Sequence, residues 1–134
     1  MILFDVQNLE NTQGKSRYNQ RELRLRVLNR LHRNLRDLTL SMRLLKKFPN
    51  LVALSLHGNS LKMLPLMTNL QLTHLDISKN PLEIDSYLLD SLYSLTTLEH
   101  LKIDGSDKDL DRIVENLPTL KTLNGHKVIR ERRI

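Results

Sequence analysis

The chain has 134 residues and a net charge of +6, with 40% hydrophobic but only 4% aromatic residues. This length suits one domain, whose core leucine must largely supply because aromatic side chains are scarce. The chain contains no cysteine, which excludes disulfides and thiolate metal sites and leads us to expect an intracellular protein, cytoplasmic or nuclear. No run of 18 apolar residues occurs, so we expect no membrane-spanning segment and no membrane partner.

The first predicted element is a basic segment, KSRYNQRELRLRVLNRLHRNLR, over residues 15–36. Leucine or valine recurs at every fourth position from Leu23 to Leu35, which predicts one apolar stripe of a helix. We interpret this segment as a basic capping helix within an N-terminal region of residues 1–34. The alternation of Leu23 and Leu25 also fits a first β-strand. The residues before this segment fit either an edge strand or a flexible arm.

A leucine pattern then repeats along the chain. It is clearest in LVALSLHGNSL from Leu51 and returns as LTHLDISKNPL from Leu72. Partial copies begin at Leu35, Leu98 and Leu120, so successive copies start 16, 21, 26 and 22 residues apart. Three of these four spacings fall in the range of leucine-rich repeats, about 20–29 residues.

The repeated pattern predicts a short strand followed by a turn. Its fourth and sixth positions alternate with period two, so a strand directs both side chains inward. The ninth position is asparagine in the two clearest copies, at Asn59 and Asn80. An asparagine amide both donates and accepts hydrogen bonds, and it can therefore satisfy backbone groups of the turn. We expect these two residues to form a structural asparagine ladder.

The segments between the predicted strands differ from one another. Pro65 interrupts the first, which predicts an irregular or 3₁₀ connection. Leu88, Leu92 and Leu95 are spaced as one face of a helix in the second. In the third, Ser106 predicts the start of a helix and Pro118 predicts its end.

These motifs resemble those of the intracellular leucine-rich repeat family. The ending LPTLKTLNGHKVIRERR is similar to the leucine-rich C-terminal caps of spliceosomal, axonemal and phosphatase-regulating members. The resemblance implies an α/β fold, a solenoid with a short parallel concave sheet and a helical or irregular convex side. It implies one domain, with repeats over residues 35–119 and a C-terminal cap and basic tail over residues 120–134.

The third, fifth and seventh positions of each copy point away from the core and predict a polar concave face. Four of the five histidines fall at these positions: His57, His74, His100 and His126. We expect this face to bind another protein, and the chain to be a non-catalytic, monomeric scaffold or adaptor that needs no cofactor. The candidate protein-binding residues are Asp37, Thr39, Ala53, Ser55, His57, His74, Asp76, Ser78, His100, Lys102, Asp104 and Asn124.

The basic residues concentrate near the two ends of the chain. Residues 15–47 carry eleven Lys or Arg against two acidic residues, and the last eight carry four against one. Such clusters suit phosphate groups, so the alternative function is that of a ribonucleoprotein component that contacts RNA. The candidate anion- or RNA-binding residues are Arg17, Arg21, Arg24, Arg30, Arg33, Lys127, Arg130, Arg132 and Arg133.

His74 and His100 occupy the same position of neighbouring strands, so we expect them roughly 5 Å apart. This pair, with Asp76 and Asp104 nearby, raises the hypothesis of a metal site. Such a site needs three or four ligands with supporting hydrogen bonds, and we therefore expect no metal. Protonation of the histidines near about pH 6 predicts that partner binding at this face changes with pH.

A second hypothesis is a Ser–His–Asp centre built from Ser55, His57 and Asp76, or with Ser78 as the serine. Catalysis of this kind needs a pocket and oxyanion donors, which an open sheet does not offer. We therefore expect these polar residues to contact a protein partner or water.

Overall fold

The structure is a computed structural model, and it describes residues 2–5, 21–26, 49–64, 67 and 70–130. Within these ranges the chain forms seven strands and two helices. In chain order they are β1 Ile2–Asp5, β2 Glu22–Arg26, β3 Ala53–Ser55, β4 His74–Asp76, α1 Ser86–Tyr93, β5 His100–Lys102, α2 Asp107–Asn116, β6 Thr122–Leu123 and β7 His126–Lys127.

The seven strands form one sheet in which each strand lies beside its neighbour in sequence. The pairs from β1 to β6 are parallel, and only the last pair, β6 with β7, is antiparallel. The α1 helix connects β4 to β5, and α2 connects β5 to β6. The chain therefore has the predicted α/β class.

Leucine and isoleucine side chains from equivalent positions build the core. The registers of β3 to β6 align Leu54, Leu75, Leu101 and Leu123 in one row, and all four are buried. Two positions later the chain buries a second row, whose members are Leu56, Ile77 and Ile103. The fourth and sixth positions of the motif therefore point inward, as predicted.

A side chain caps the start of each helix, and α2 begins after Ser106, as predicted. The Asp85 carboxylate accepts a hydrogen bond from the Leu88 amide at 2.9 Å, and the Ser106 hydroxyl accepts one from the Asp109 amide at 3.2 Å. Such caps satisfy amides that have no partner within the helix. The second helix ends at Asn116, two residues before Pro118, as predicted.

Residues 22–26 form a strand, so the predicted basic capping helix is wrong over this segment. The backbone carbonyl of Arg21 accepts from the amides of Val52 at 2.8 Å and Ala53 at 2.9 Å, and β2 continues as the parallel neighbour of β3. A strand edge at β3 leaves backbone groups that need partners, and pairing satisfies them where a helix would not. The alternation of Leu23 and Leu25 was the decisive pattern, and β1 is the edge strand considered for the chain start.

The end of the sheet is a tight hairpin that the repeat interpretation missed. Asn124 and Gly125 join β6 to β7 with φ values of 52° and 81°. Positive φ at both central residues is typical of a type I′ turn, which favours Asn-Gly. The chain therefore turns back at Gly125, which occupies the sixth position of this partial copy.

The connection after Asn59 is without helix in its described part, at residues 60–64, 67 and 70. Pro65, on which the predicted irregular connection depends, lies outside the described residues. Neither α1 nor α2, the helices of the described ranges, is long and apolar enough to cross a membrane.

Candidate functional site

One surface of the sheet, opposite the buried leucine row, carries polar side chains, and we call it the polar face. Successive residues of a strand point to opposite sides, so the neighbours of each buried leucine lie on this face. The registers of β3 to β6 order them in two rows, Ala53–His74–His100–Thr122 and Ser55–Asp76–Lys102. A groove of about 580 Å³ lies over these rows, and its lining also includes His57.

Two predicted binding residues at the start of the face are buried. Ala53 is 6% exposed and Ser55 is 5% exposed, so neither offers a partner much surface. Both side chains are short and lie between strands on either side, which shields them. Both residues line the groove, so their contact with a partner stays a prediction, whereas the His57 side chain after β3 is 38% exposed.

The rings of His74 and His100 stack, which confirms that these residues are neighbours. Their centroids are 4.3 Å apart and their planes are inclined by 29°. The Thr73 hydroxyl donates to the Val52 carbonyl at 3.2 Å and lies 2.8 Å from His74 Nδ1. The hydrogen bond between the Thr73 hydroxyl and His74 Nδ1 fixes the orientation of the ring. His100 Nδ1 lies 2.8 Å from the Thr122 hydroxyl, so a hydroxyl holds each ring.

His57 joins the face through a hydrogen-bonded trio with Ser78 and Asp76. The Ser78 hydroxyl donates to Asp76 Oδ1 at 2.5 Å and lies 2.7 Å from His57 Nδ1. In a Ser–His–Asp centre the histidine lies between the other two and takes the serine proton. Here the serine lies in the middle and donates its hydrogen bond to the carboxylate. The three residues are together, but their order is not that of an activated nucleophile.

Asp104 and Asn124 use their side chains to hold backbone turns beside the face. Asp104 Oδ2 accepts from the Lys79 amide at 2.5 Å, and Lys79 has a left-handed φ of 57°. Asn124 Oδ1 accepts from the Ile103 amide at 2.8 Å. Both were predicted as contact residues, and both also have this internal role.

Glu99 and Lys121 form an ion pair at the edge of the first polar row, between the strands that carry His100 and Thr122. The hydrogen bond from Lys121 lowers the pKa of the Glu99 carboxyl below its ordinary value of 4.5. The charge of Lys121 and, more weakly, the nearby His100 and His74 act in the same direction. A carboxylate is therefore fixed beside the stacked histidines.

The predicted asparagine ladder is present and buried. Asn80 Oδ1 accepts from the amides of Asn59 at 2.9 Å and Leu61 at 3.0 Å. Asn80 Nδ2 donates to the carbonyls of Leu56 at 3.0 Å and Ile77 at 2.9 Å. Asn59 Nδ2 also donates to the Leu56 carbonyl, at 2.8 Å. One side chain therefore ties two successive turns together.

Arg130, one of the predicted anion-binding residues, is engaged within the protein. Its guanidinium donates to the carbonyls of Val114 at 2.8 Å, Leu117 at 2.7 Å and Leu120 at 3.1 Å. These carbonyls lie at and beyond the C-terminal end of α2, where helical partners run out. Arg130 is thus a helix cap, and its binding of phosphate stays a prediction.

The other predicted basic residues are not brought together in the described part of the chain. Arg21 and Lys127 are exposed and belong to opposite ends of the sheet. Arg24 lies in β2, and its side chain is outside the description. The remaining predicted residues outside the described ranges are Arg17, Arg30, Arg33, Arg132, Arg133, Asp37 and Thr39.

Because of the hairpin, His126 and Lys127 lie on faces of the sheet opposite to those that the repeat pattern predicts. Cross-strand partners in an antiparallel pair share a face. Lys127 pairs with Thr122, and His126 pairs with Leu123. Lys127 therefore lies on the polar face, whereas His126 lies on the leucine side, contrary to the sequence-based prediction. The Asn-Gly dipeptide was the signal that could have shown this.

No group of three or more histidine, cysteine or acidic residues among the described residues could hold a metal ion.

The sequence analysis did not predict the threonine partners of the histidines. Thr73 is adjacent to His74 in the sequence, and Thr122 shares a position with His100, so both signals were available.

No family model and no curated protein matches this chain. A chain of the solved "Structure of Chaetomium Mex67:Mtr2 subunits" is similar, with a TM-score of 0.62 and 19% sequence identity. The match covers 93% of this chain and 90% of that chain. At this identity the likeness concerns the fold alone.

Proposed function

We propose that this chain is a leucine-rich repeat solenoid and that it is a non-catalytic module that binds another protein through the groove of its polar face. The observation that carries the proposal is the polar face itself. Polar side chains repeat in register across it, and hydroxyl groups hold three of its histidines in place. An ordered, accessible and mostly uncharged groove suits recognition by a larger intracellular assembly.

Repeated backbone contacts support the solenoid. The Thr73 amide donates to the Val52 carbonyl at 2.8 Å, Glu99 to Thr73 at 3.0 Å, and Lys121 to Glu99 at 2.7 Å. These residues hold the same place, just before or at the start of β4, β5 and β6. Each of these units therefore contacts its neighbour in the same way, as expected for a solenoid.

The order of the His57–Ser78–Asp76 trio favours recognition over catalysis. The Ser78 hydroxyl donates to Asp76, so His57 does not stand between the serine and the carboxylate as the base of a Ser–His–Asp centre does. We therefore assign these residues to the wall of the groove.

The alternative role in RNA binding has less support. It relied on a basic helix over residues 15–36, of which residues 22–26 form a strand. It also relied on Arg130, whose guanidinium caps α2. RNA binding is therefore an outcome that the test below must detect.

The test is a quantitative pull-down from a eukaryotic cell extract with the full chain as bait. The groove variants are His57→Ala and Lys102→Glu, and the control is Lys108→Glu, an equal charge change on α2. A partner that binds through the groove should fall at least about fivefold with the groove variants and stay unchanged with the control.

A parallel sample of the extract is treated with nuclease. A partner that disappears after this treatment but is retained by both groove variants would contradict the proposal and favour the ribonucleoprotein role. Equal loss with Lys108→Glu would also contradict it, because the helix side would then be the binding surface.

A further inference from the structure

The three histidines of the polar face share one arrangement. In His57, His74 and His100 the Nδ1 atom is bonded to a hydroxyl group, at 2.7, 2.8 and 2.8 Å respectively. No described residue hydrogen-bonds to the Nε2 atom of any of them. The Nδ1 bonds fix the rings, and the second nitrogen of each ring is left for a ligand.

Protonation of these rings would change what they offer to a ligand. In an imidazolium ring both nitrogens carry a proton. With Nδ1 bonded to a hydroxyl group, Nε2–H of the charged ring is left as a donor.

The carboxylates of Asp76 and Asp104 are engaged internally, whereas the ammonium of Lys102 is not. Asp76 accepts from the amide and hydroxyl of Ser78, and Asp104 accepts from the Lys79 amide. The ammonium of Lys102 is exposed and has no hydrogen bond or ion pair among the described residues. The charge available to a ligand is therefore positive.

We propose that the groove binds an acidic peptide segment in an extended conformation and that binding is coupled to protonation of His57, His74 and His100. This inference rests on the proposed function, in which the groove binds a protein. The first row spans four strands, β3 to β6, and ends with Lys127 opposite Thr122 on β7. Four strand spacings of about 4.8 Å match about six residues of an extended peptide.

The stacked pair gives the coupling a physical basis. Two imidazolium rings with centroids 4.3 Å apart repel each other. A ligand carboxylate that accepts from their Nε2–H groups offsets this repulsion and gains two charge-assisted hydrogen bonds. Other charged groups also lie near the histidines: Glu99, Lys121, Asp76 and Lys102. Asp76 Oδ1 is 3.9 Å from His57 Nδ1. The fixed charges nearly cancel, so the histidine protons decide the sign of the face.

The test measures binding of a fluorescein-labelled octapeptide of alternating glutamate and serine by fluorescence anisotropy. Measurements are made at pH 5.5 and 7.5 at one ionic strength, with the matched glutamine and serine peptide as reference. We expect the acidic peptide to bind about tenfold more tightly at pH 5.5, since several exposed charge pairs each contribute a few-fold. The glutamine peptide should show no such change.

Three variants locate the effect. The double variant His74→Gln and His100→Gln keeps hydrogen-bonding side chains but cannot be protonated, and it should reduce the pH effect to about twofold. His126→Gln is the matched control on the leucine side and should bind as the unaltered chain does. Lys102→Gln, which alters no internal contact of the described residues, should weaken binding about threefold at both pH values.

A flat pH profile for the acidic peptide would overturn the proposal, as would an equal loss of the pH effect in His126→Gln. The proposal would also be overturned if a labelled oligouridylate bound more tightly than the peptide and its binding depended on His74 and His100. If the peptide fails while the groove variants still release a protein partner from the extract, the acidic-ligand inference is wrong and the proposed function stands. If both fail, the groove is not the binding site.

Discussion

At the scale of single residues, the side chain of Asn80 makes five hydrogen bonds to backbone groups. It is 8% exposed, and its amide bonds both to its own turn and to the preceding one. A buried polar group that loses its partner costs about 1–3 kcal/mol. The removal of this one amide leaves several backbone groups unsatisfied at once.

We therefore expect Asn80→Ala to lower the free energy of unfolding by about 2–4 kcal/mol. Chemical denaturation followed by circular dichroism measures the change. Asn116→Ala is the matched control, because its amide makes one exposed bond to Arg112 within α2. If Asn80→Ala lowered the free energy of unfolding no more than the control does, water would have replaced the hydrogen bonds of the asparagine ladder.

The Glu99–Lys121 pair predicts a specific dependence of stability on pH. The pKa of Glu99 is lowered in the folded chain, so its stabilising contribution is present above its ordinary value of 4.5 and is lost as the pH falls through the folded value. The thermal midpoint of Glu99→Gln should therefore lie slightly below that of the unaltered chain at pH 7, and the two should converge at about pH 3. A difference that persists in acid would mean that charge is not the cause.

At the scale of elements, the second helix depends on residues at both of its ends. Ser106 caps its first turn, and Arg130, fourteen residues beyond its last residue, supplies donors for the carbonyls at its end. A cation near a helix C-terminus also complements the helix dipole. The C-terminal segment is thus fastened to the helix.

Arg130→Ala should destabilise the protein by about 1–2 kcal/mol, because three hydrogen bonds from one charged group are lost. Hydrogen exchange should show the loss at the last turn of α2. Arg130→Lys should retain only part of the effect, since an ammonium lacks the planar fork that reaches several carbonyls. Equal stability of the alanine variant would contradict the capping role.

The hairpin between β6 and β7 makes a separate prediction. Gly125 has a φ of 81°, a conformation that strains residues with a Cβ atom. Gly125→Ala should cost about 1–2 kcal/mol in thermal or chemical denaturation. Gly125→Asn should cost less, because asparagine tolerates left-handed backbone. No difference between the two variants would indicate that the turn rearranges.

At the scale of the whole molecule, the repeated part of the chain could be predicted because its signal is local. The inward direction of each buried leucine follows from its spacing in the sequence to the next leucine of the same motif. The asparagine ladder followed from the same spacing. The basic segment was ambiguous because its leucines fit both the period of a helix and the period of a strand. Residues 22–26 form a strand because they pair with β3, and this pairing cannot be read from the segment alone. Partners such as Thr122 for His100 depend on strand register, which a single motif does not contain.

The parallel strands keep their register although the motif starts lie 21, 26 and 22 residues apart from Leu51 onwards. The extra residues are accommodated in the connections, and the separation between strands is set by backbone hydrogen bonds alone. The lengths of the connections and the distances between the strands are therefore independent in this molecule. A protein engineer could insert a tag or a second domain in the connection between β4 and β5 without altering the distances between binding positions on the opposite side.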